Sequence, residues 1–133
     1  MIAPDTASDL TQIGLSEDAR SVLQLLRDGG HISDLVDGYK MGIALAIAFR
    51  RDPSAEPSQR KTYIAVGNLD PDIHIKTAIA QMYPDWAPIP YRAAEDLAHQ
   101  GVAILKTMLD GDTPWFAEIV EQARQANTGT PAV

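Results

Sequence analysis

From Met41 to Phe49 every residue is apolar or glycine, nine in succession. No other stretch of the chain constrains its fold as strongly. The run sits inside a segment that reads as a helix from Ser33 to about Arg51, with Ser33 as cap and Asp34 in the first turn, where the helix dipole favours negative charge. Leu35, Val36, Tyr39, Ile43 and Ile47 form one stripe, and Met41, Leu45 and Phe49 fill the other side. A helix that is apolar all round needs cover all round. The 133 residues suit one domain. In so short a chain full cover is hard to arrange, because small domains have much surface for their volume. Gly42, Ala44, Ala46 and Ala48 are small enough to let another helix approach closely. The expectation is a homo-oligomer, a two-fold dimer first, with Met41, Gly42, Leu45, Ala46 and Phe49 at its interface. The competing arrangement is a monomer with this helix at its centre.

The remaining segments predict a mainly α fold of about five helices with at most one or two short strands. A first helix runs from Ser16 to Asp28: Ser16 caps it, Glu17 and Asp18 suit its dipole, and Ala19, Val22, Leu23 and Leu26 make its buried stripe. Gly29-Gly30 stops it, since glycine takes the left-handed conformation that ends helices. A third helix is expected with Asp70 as cap and Pro71 at its first position, ending at Pro84. A fourth runs from about Tyr91 to Leu109 and stops at Gly111. A fifth starts with Thr113 as cap and Pro114 first, with Phe116, Ile119, Val120 and Ala123 facing inward. Thr62–Val66 is the strand candidate, and it needs a partner, either the N-terminal arm or a second copy. Residues 1–13 read as a flexible arm in which Leu10–Ile13 is briefly extended. Residues 14–126 read as the helical domain and 127–133 as a disordered tail.

The net charge is −7, from 18 acids against 11 Lys and Arg, which disfavours nonspecific attraction to nucleic acid or anionic lipid. There is no cysteine, so disulfides and thiolate metal sites are excluded. The first ten residues lack the apolar core of a signal peptide, and the apolar run is far short of the roughly 20 residues that cross a bilayer. These features point to a cytoplasmic protein without a membrane partner.

Catalytic signatures are missing. There is no GxSxG, GxxxxGK[ST] or GxGxxG, and His31, His74 and His99 form no helical chelating pair. Asp70, Asp72 and His74 alternate like metal ligands on a strand, but the proline after Asp70 reads better as a helix start. Asp110, Asp112 and Glu121 imitate part of a calcium loop, yet Pro114 and Trp115 occupy positions that need a ligand oxygen and a glycine. Glu95 and Asp96 are adjacent in sequence and read as solvated on different helix faces. Trp86, Tyr91 and Trp115 lie at helix ends, where aromatics pack over a core edge. No cofactor or metal is implied. One basic feature stands out: Lys40, Arg50, Arg51, Arg60 and Lys61 leave residues 40–61 with five bases against two acids. They are candidates for contact with phosphate or nucleic acid. Arg50 and Arg51 also suit the end of a helix dipole.

The stretch LSEDARSVLQLLRDGG followed by SDLVDGYKMGIALAIAF, within residues 15–49, resembles a ribbon–helix–helix core of the DndE-like kind found in small bacterial proteins. It resembles that core in helix lengths, glycine turn and a second helix rich in small residues, over about a quarter of the chain. The resemblance implies an intertwined dimer or higher oligomer, often on DNA. The family's DNA-reading strand precedes the first helix; Leu10–Gly14 stands there without a base, so dimer formation carries over and DNA contact does not follow. The chain is thus expected to be a non-catalytic, self-associating interaction or regulatory module. Nucleic-acid binding through the basic loop is the alternative, and a small enzyme with dispersed acids the third reading.

Overall fold

The computed structural model describes residues 9–54 and 60–111. Their order is β1 (Gln12–Leu15), α1 (Glu17–Asp28), α2 (Leu35–Ala48), β2 (Lys61–Ala65), α3 (Val66–Leu69), α4 (His74–Met82), a 3-10 turn (Pro84–Trp86) and α5 (Pro90–Asp110). The described residues are thus mainly α, with five helices and one two-stranded sheet. The helix expected from Thr113 lies outside them, and the one-turn α3 makes up the number.

Helix α1 follows its sequence signals closely. The Ser16 hydroxyl accepts the Ala19 N–H at 3.1 Å, and Ala19, Val22, Leu23 and Leu26 are buried. Gly30 takes φ +80°, while the Gly30 N–H reaches the Arg27 carbonyl and the His31 N–H reaches that of Leu26. Both orphan carbonyls are satisfied by one glycine turn. Helix α2 ends by the same geometry at Ala48, three residues before the expected Arg51. Arg50 sits at φ 58°, with the Arg50 N–H bonded to Ile47 and the Arg51 N–H to Ala46. No glycine announces that stop. At its start Asp34, rather than Ser33, supplies the cap, accepting the Asp37 N–H at 2.9 Å.

The strand candidate finds its partner in the arm. β1 and β2 pair antiparallel, with a bulge between Ile13 and Gly14. Gln12 and Ile13, read as arm, are in β1, and Ile13 is fully buried. Asp9 then reaches the start of α5, where its carboxylate accepts the Tyr91 and Arg92 N–H groups at 3.1 Å.

Around α2 the chain supplies most of the cover itself. Helix α5 lies along it, α1 flanks it, and Tyr39 packs toward Tyr63 of β2. The α2–α5 contact is backbone against backbone: a Cβ on Gly101 would collide with Gly42, and one on Gly42 would lie 2.7 Å from the Ala98 carbonyl oxygen. Three of the proposed interface residues, Gly42, Leu45 and Ala46, are therefore interior positions of one chain. Small residues brought a helix close, but it was α5 of the same molecule.

Helix α4 starts at His74, not at Pro71, because Asp70 caps it from a distance. Its carboxylate accepts the Ile75 and Lys76 N–H groups at 3.0 Å each, and Ile73 turns into the left-handed region at φ 56° to allow this. The Tyr91 hydroxyl donates to the same carboxylate at 2.9 Å. Burial would raise the Asp70 pKa, but these three donors outweigh it and hold it below the usual value.

Candidate functional site

Helix α5 carries two surfaces of different character besides its contact with α2. The first is a polar cluster near its middle. Arg60 is largely buried and reaches Glu95 at 2.9 Å and Asp96 at 3.6 Å. Glu95 also accepts the Gly14 N–H at 2.6 Å. Asp96 accepts the Ser54 N–H at 2.9 Å and the Gln100 side-chain amide at 2.7 Å. The two acids read as solvated thus converge on one guanidinium. Each also anchors a connecting segment, β1 for Glu95 and the residues after α2 for Asp96. One turn on, His99 bridges in the same way: Nε2 accepts the Ser16 N–H at 3.1 Å and Nδ1 faces the Glu95 carbonyl at 2.7 Å. Since a backbone N–H only donates, Nε2 is bare and Nδ1 carries the proton. Burial first, and the Arg60 charge beside it, hold the His99 pKa below its ordinary value. Tyr39 completes the cluster, its hydroxyl donating to the Gly14 carbonyl at 3.2 Å. Burial chiefly, with Glu95 nearby, keeps that phenol protonated. These groups are turned toward backbone and toward each other, which suits support rather than chemistry on a substrate.

The second surface is a groove of about 390 Å³ between α1 and α5. Ala19, Val22 and Leu25 form one wall and Val102, Ala103 and Lys106 the other, with His99 at one end. Leu25 is 61 % exposed, the highest value among the large apolar side chains described. Neither groove nor Leu25 was singled out by sequence reasoning. The available signal was that Leu25 falls outside the buried stripe of α1 while remaining apolar.

The outward face of α2 is a third feature. Ala44 is exposed and Met41, Ile47 and Ala48 are half-buried, with Asp37 and Lys40 exposed toward the start of the helix. Of the expected interface, Met41 and Phe49 stay partly accessible, while Gly42, Leu45 and Ala46 do not.

The basic residues do not act together. Arg60 is withdrawn into its carboxylate pair. Lys61, largely exposed, lies 3.4 Å from Glu17. Lys40, Arg50 and Arg51 are exposed on or just beyond α2. Asp70 is occupied as a cap, whereas Asp72 and His74 are exposed. Among the described residues no three His, Asp or Glu side chains gather as metal ligands, and no helix is long and apolar enough to cross a membrane. No family model, curated protein or solved structure matches the chain.

Proposed function

We propose that the protein is a non-catalytic helical interaction module that self-associates through the outward face of α2. The observation that carries this reading is that Ala44 is exposed on α2 and that Met41, Ile47 and Ala48, packed at their inner edges against the core, stay half-accessible. These residues are also self-complementary. If two copies cross antiparallel at Ala44, Met41 meets Ile47 of the other copy, since each lies three positions from the centre on the same helix. A two-fold contact requires this reciprocity. Ala44 has the small side chain that close helix approach needs. The likeness of residues 15–49 to a ribbon–helix–helix core points the same way. The interior polar groups support the non-catalytic part, since their hydrogen bonds hold connecting segments in place.

Light scattering coupled to size exclusion tests the reading. The expected mass at micromolar concentration is twice 14.4 kDa, and Ala44→Glu should return it to that of one chain while leaving the circular dichroism spectrum unchanged. A single-chain mass for the unaltered protein would overturn the proposal. Ala46→Glu is not an equivalent probe: Ala46 is fully buried, so an unpaired carboxylate there would unfold the chain.

A further inference from the structure

Ser16 is the joint between β1 and α1, and it is bonded on both sides. Its hydroxyl and carbonyl accept the Ala19 and Arg20 N–H groups at 3.1 and 2.9 Å, closing the first turn of α1. Its own N–H points the other way and donates to His99 Nε2 on α5. Two residues earlier β1 is clamped without any imidazole: Glu95 accepts the Gly14 N–H, and the Tyr39 hydroxyl donates to the Gly14 carbonyl. The start of α1 is thus tied to α5 through a ring nitrogen, whereas β1 is tied through a carboxylate and a phenol. The Lys61–Glu17 pair that also reaches the first turn is exposed, and pairs of that kind hold little.

A ring nitrogen that accepts a hydrogen bond must be bare. Nδ1 already carries a proton for the Glu95 carbonyl, so a second proton on His99 has to go to Nε2. The imidazolium then points a donor at the Ser16 N–H, and it sets a positive charge at the positive end of the α1 dipole. The groups around the ring do not cancel this. Arg60 of β2 has the same sign. Glu95 and Asp96 of α5 are already engaged by Arg60 and by the Gly14 and Ser54 N–H groups. Asp18 of α1 and Lys106 of α5 line the groove beside the ring with opposite charges. Tyr39 of α2 meets the ring edge-on at 6.1 Å. The Nδ1 bond and the Tyr39 contact keep the imidazole in place, so the half-buried Ser16 is the partner that yields.

We propose that His99 is a proton-operated latch on α1: the neutral ring holds the Ser16 N–H, and the imidazolium releases it, freeing the first turn of α1 while β1 stays clamped at Gly14. Burial disfavours the charged ring, so release comes below the ordinary imidazole value of 6.5. The latch works within one chain and does not depend on self-association.

Residue-resolved amide exchange of the full-length protein between pH 7.5 and 5, with the His99 ring resonances followed alongside, tests this. The ratio of Gly14 to Ser16 protection factors should rise about tenfold or more, because the Ser16 amide opens locally while Gly14 opens only with the fold. The rise should track the ring titration, and the Ala19 amide should lose protection with Ser16. Equal losses at Gly14 and Ser16 would mean that the whole fold loosens and that no latch exists. A constant ratio while the ring titrates, or a ring that stays neutral down to pH 5, would overturn the proposal too. In His99→Gln, which has no titrating proton, the ratio should not depend on pH; a rise that persists would belong to another group and would refute the assignment to His99.

Discussion

On its α2 side α5 is held by close contact among glycines and small side chains; toward β1 and α1 it is held by side chains that bond to backbone. At the first contact, Gly101 lies on Gly42, flanked by Ala94, Ala98 and Ala46, all fully buried. Removing side chains lets two helix axes close up and multiplies weak dispersion contacts. Such a contact tolerates no added atom, because backbone cannot rotate aside. At the second, Glu95, Asp96 and His99 reach out to Gly14, Ser54 and Ser16. Here a groove remains beside the anchors. The difference separates two ways of fixing one helix: steric fit, which is sensitive to volume, and polar anchoring, which is sensitive to charge.

The largest expected effect comes from violating the fit. Gly101→Ala should destabilise the fold by about 3 kcal/mol or more, read from urea denaturation, since overpacking here displaces backbone. A loss near 1 kcal/mol would show that α5 slides and that the contact is not rigid. On the anchored side, Arg60→Ala should cost about 2 kcal/mol, because it leaves the half-buried Glu95 and the buried Asp96 without their cation, less a discount for partial solvent access. Adding Glu95→Gln should recover part of this; no recovery would mean that packing of the Arg60 stem, not charge, was lost. A smaller effect is pH-dependent. His99 is depressed in the folded chain by burial, so the unfolded chain takes up a proton first as pH falls below the ordinary imidazole value of 6.5. Stability from this group is complete above that pH and declines as pH drops through the folded value, where Nε2 loses the Ser16 N–H. Melting temperature between pH 7.5 and 5 should fall, and His99→Gln should flatten the slope. The smallest effect is a gain. Arg50→Gly should stabilise by about 0.5–1 kcal/mol by relieving a left-handed residue; a loss would mean that the Arg50 side chain's own contacts outweigh its backbone.

What was legible in the sequence was local. Ser16, Glu17-Asp18 and Gly29-Gly30 marked both ends of α1 because capping acts over a few residues. The strand was placed within one residue, at Lys61–Ala65 instead of Thr62–Val66. What failed depended on distance. Asp70 was recognised as a cap, but its bonds to Ile75 and Lys76 moved the helix start to His74, and no short-range rule foresees Ile73 turning left-handed. The end of α2 at Ala48 had no glycine to signal it. Arg60 was counted with a basic loop because its partners Glu95 and Asp96 are 35 and 36 residues away in the sequence, on a helix that only folding brings near. The small residues of α2 correctly announced a close helix neighbour. They could not say which molecule it belonged to, because a Gly–Gly contact looks the same from one strand of sequence whether the second helix is α5 or another copy.

The Asp9 cap on α5 also orders events in time. The N–H groups it satisfies belong to residues 82 and 83 positions later, and β1 has no ladder partner until β2 exists. At a synthesis rate of about 5–20 residues per second, that separation corresponds to roughly 4–16 s during which Asp9 has been made and the start of α5 has not. Helices α1 and α2 can pair in that interval; the arm cannot finish its work. Closing the fold is therefore a late event in which the start of the described chain meets the start of α5, and the first turn of α5 is complete only when the residue that caps it has waited for it.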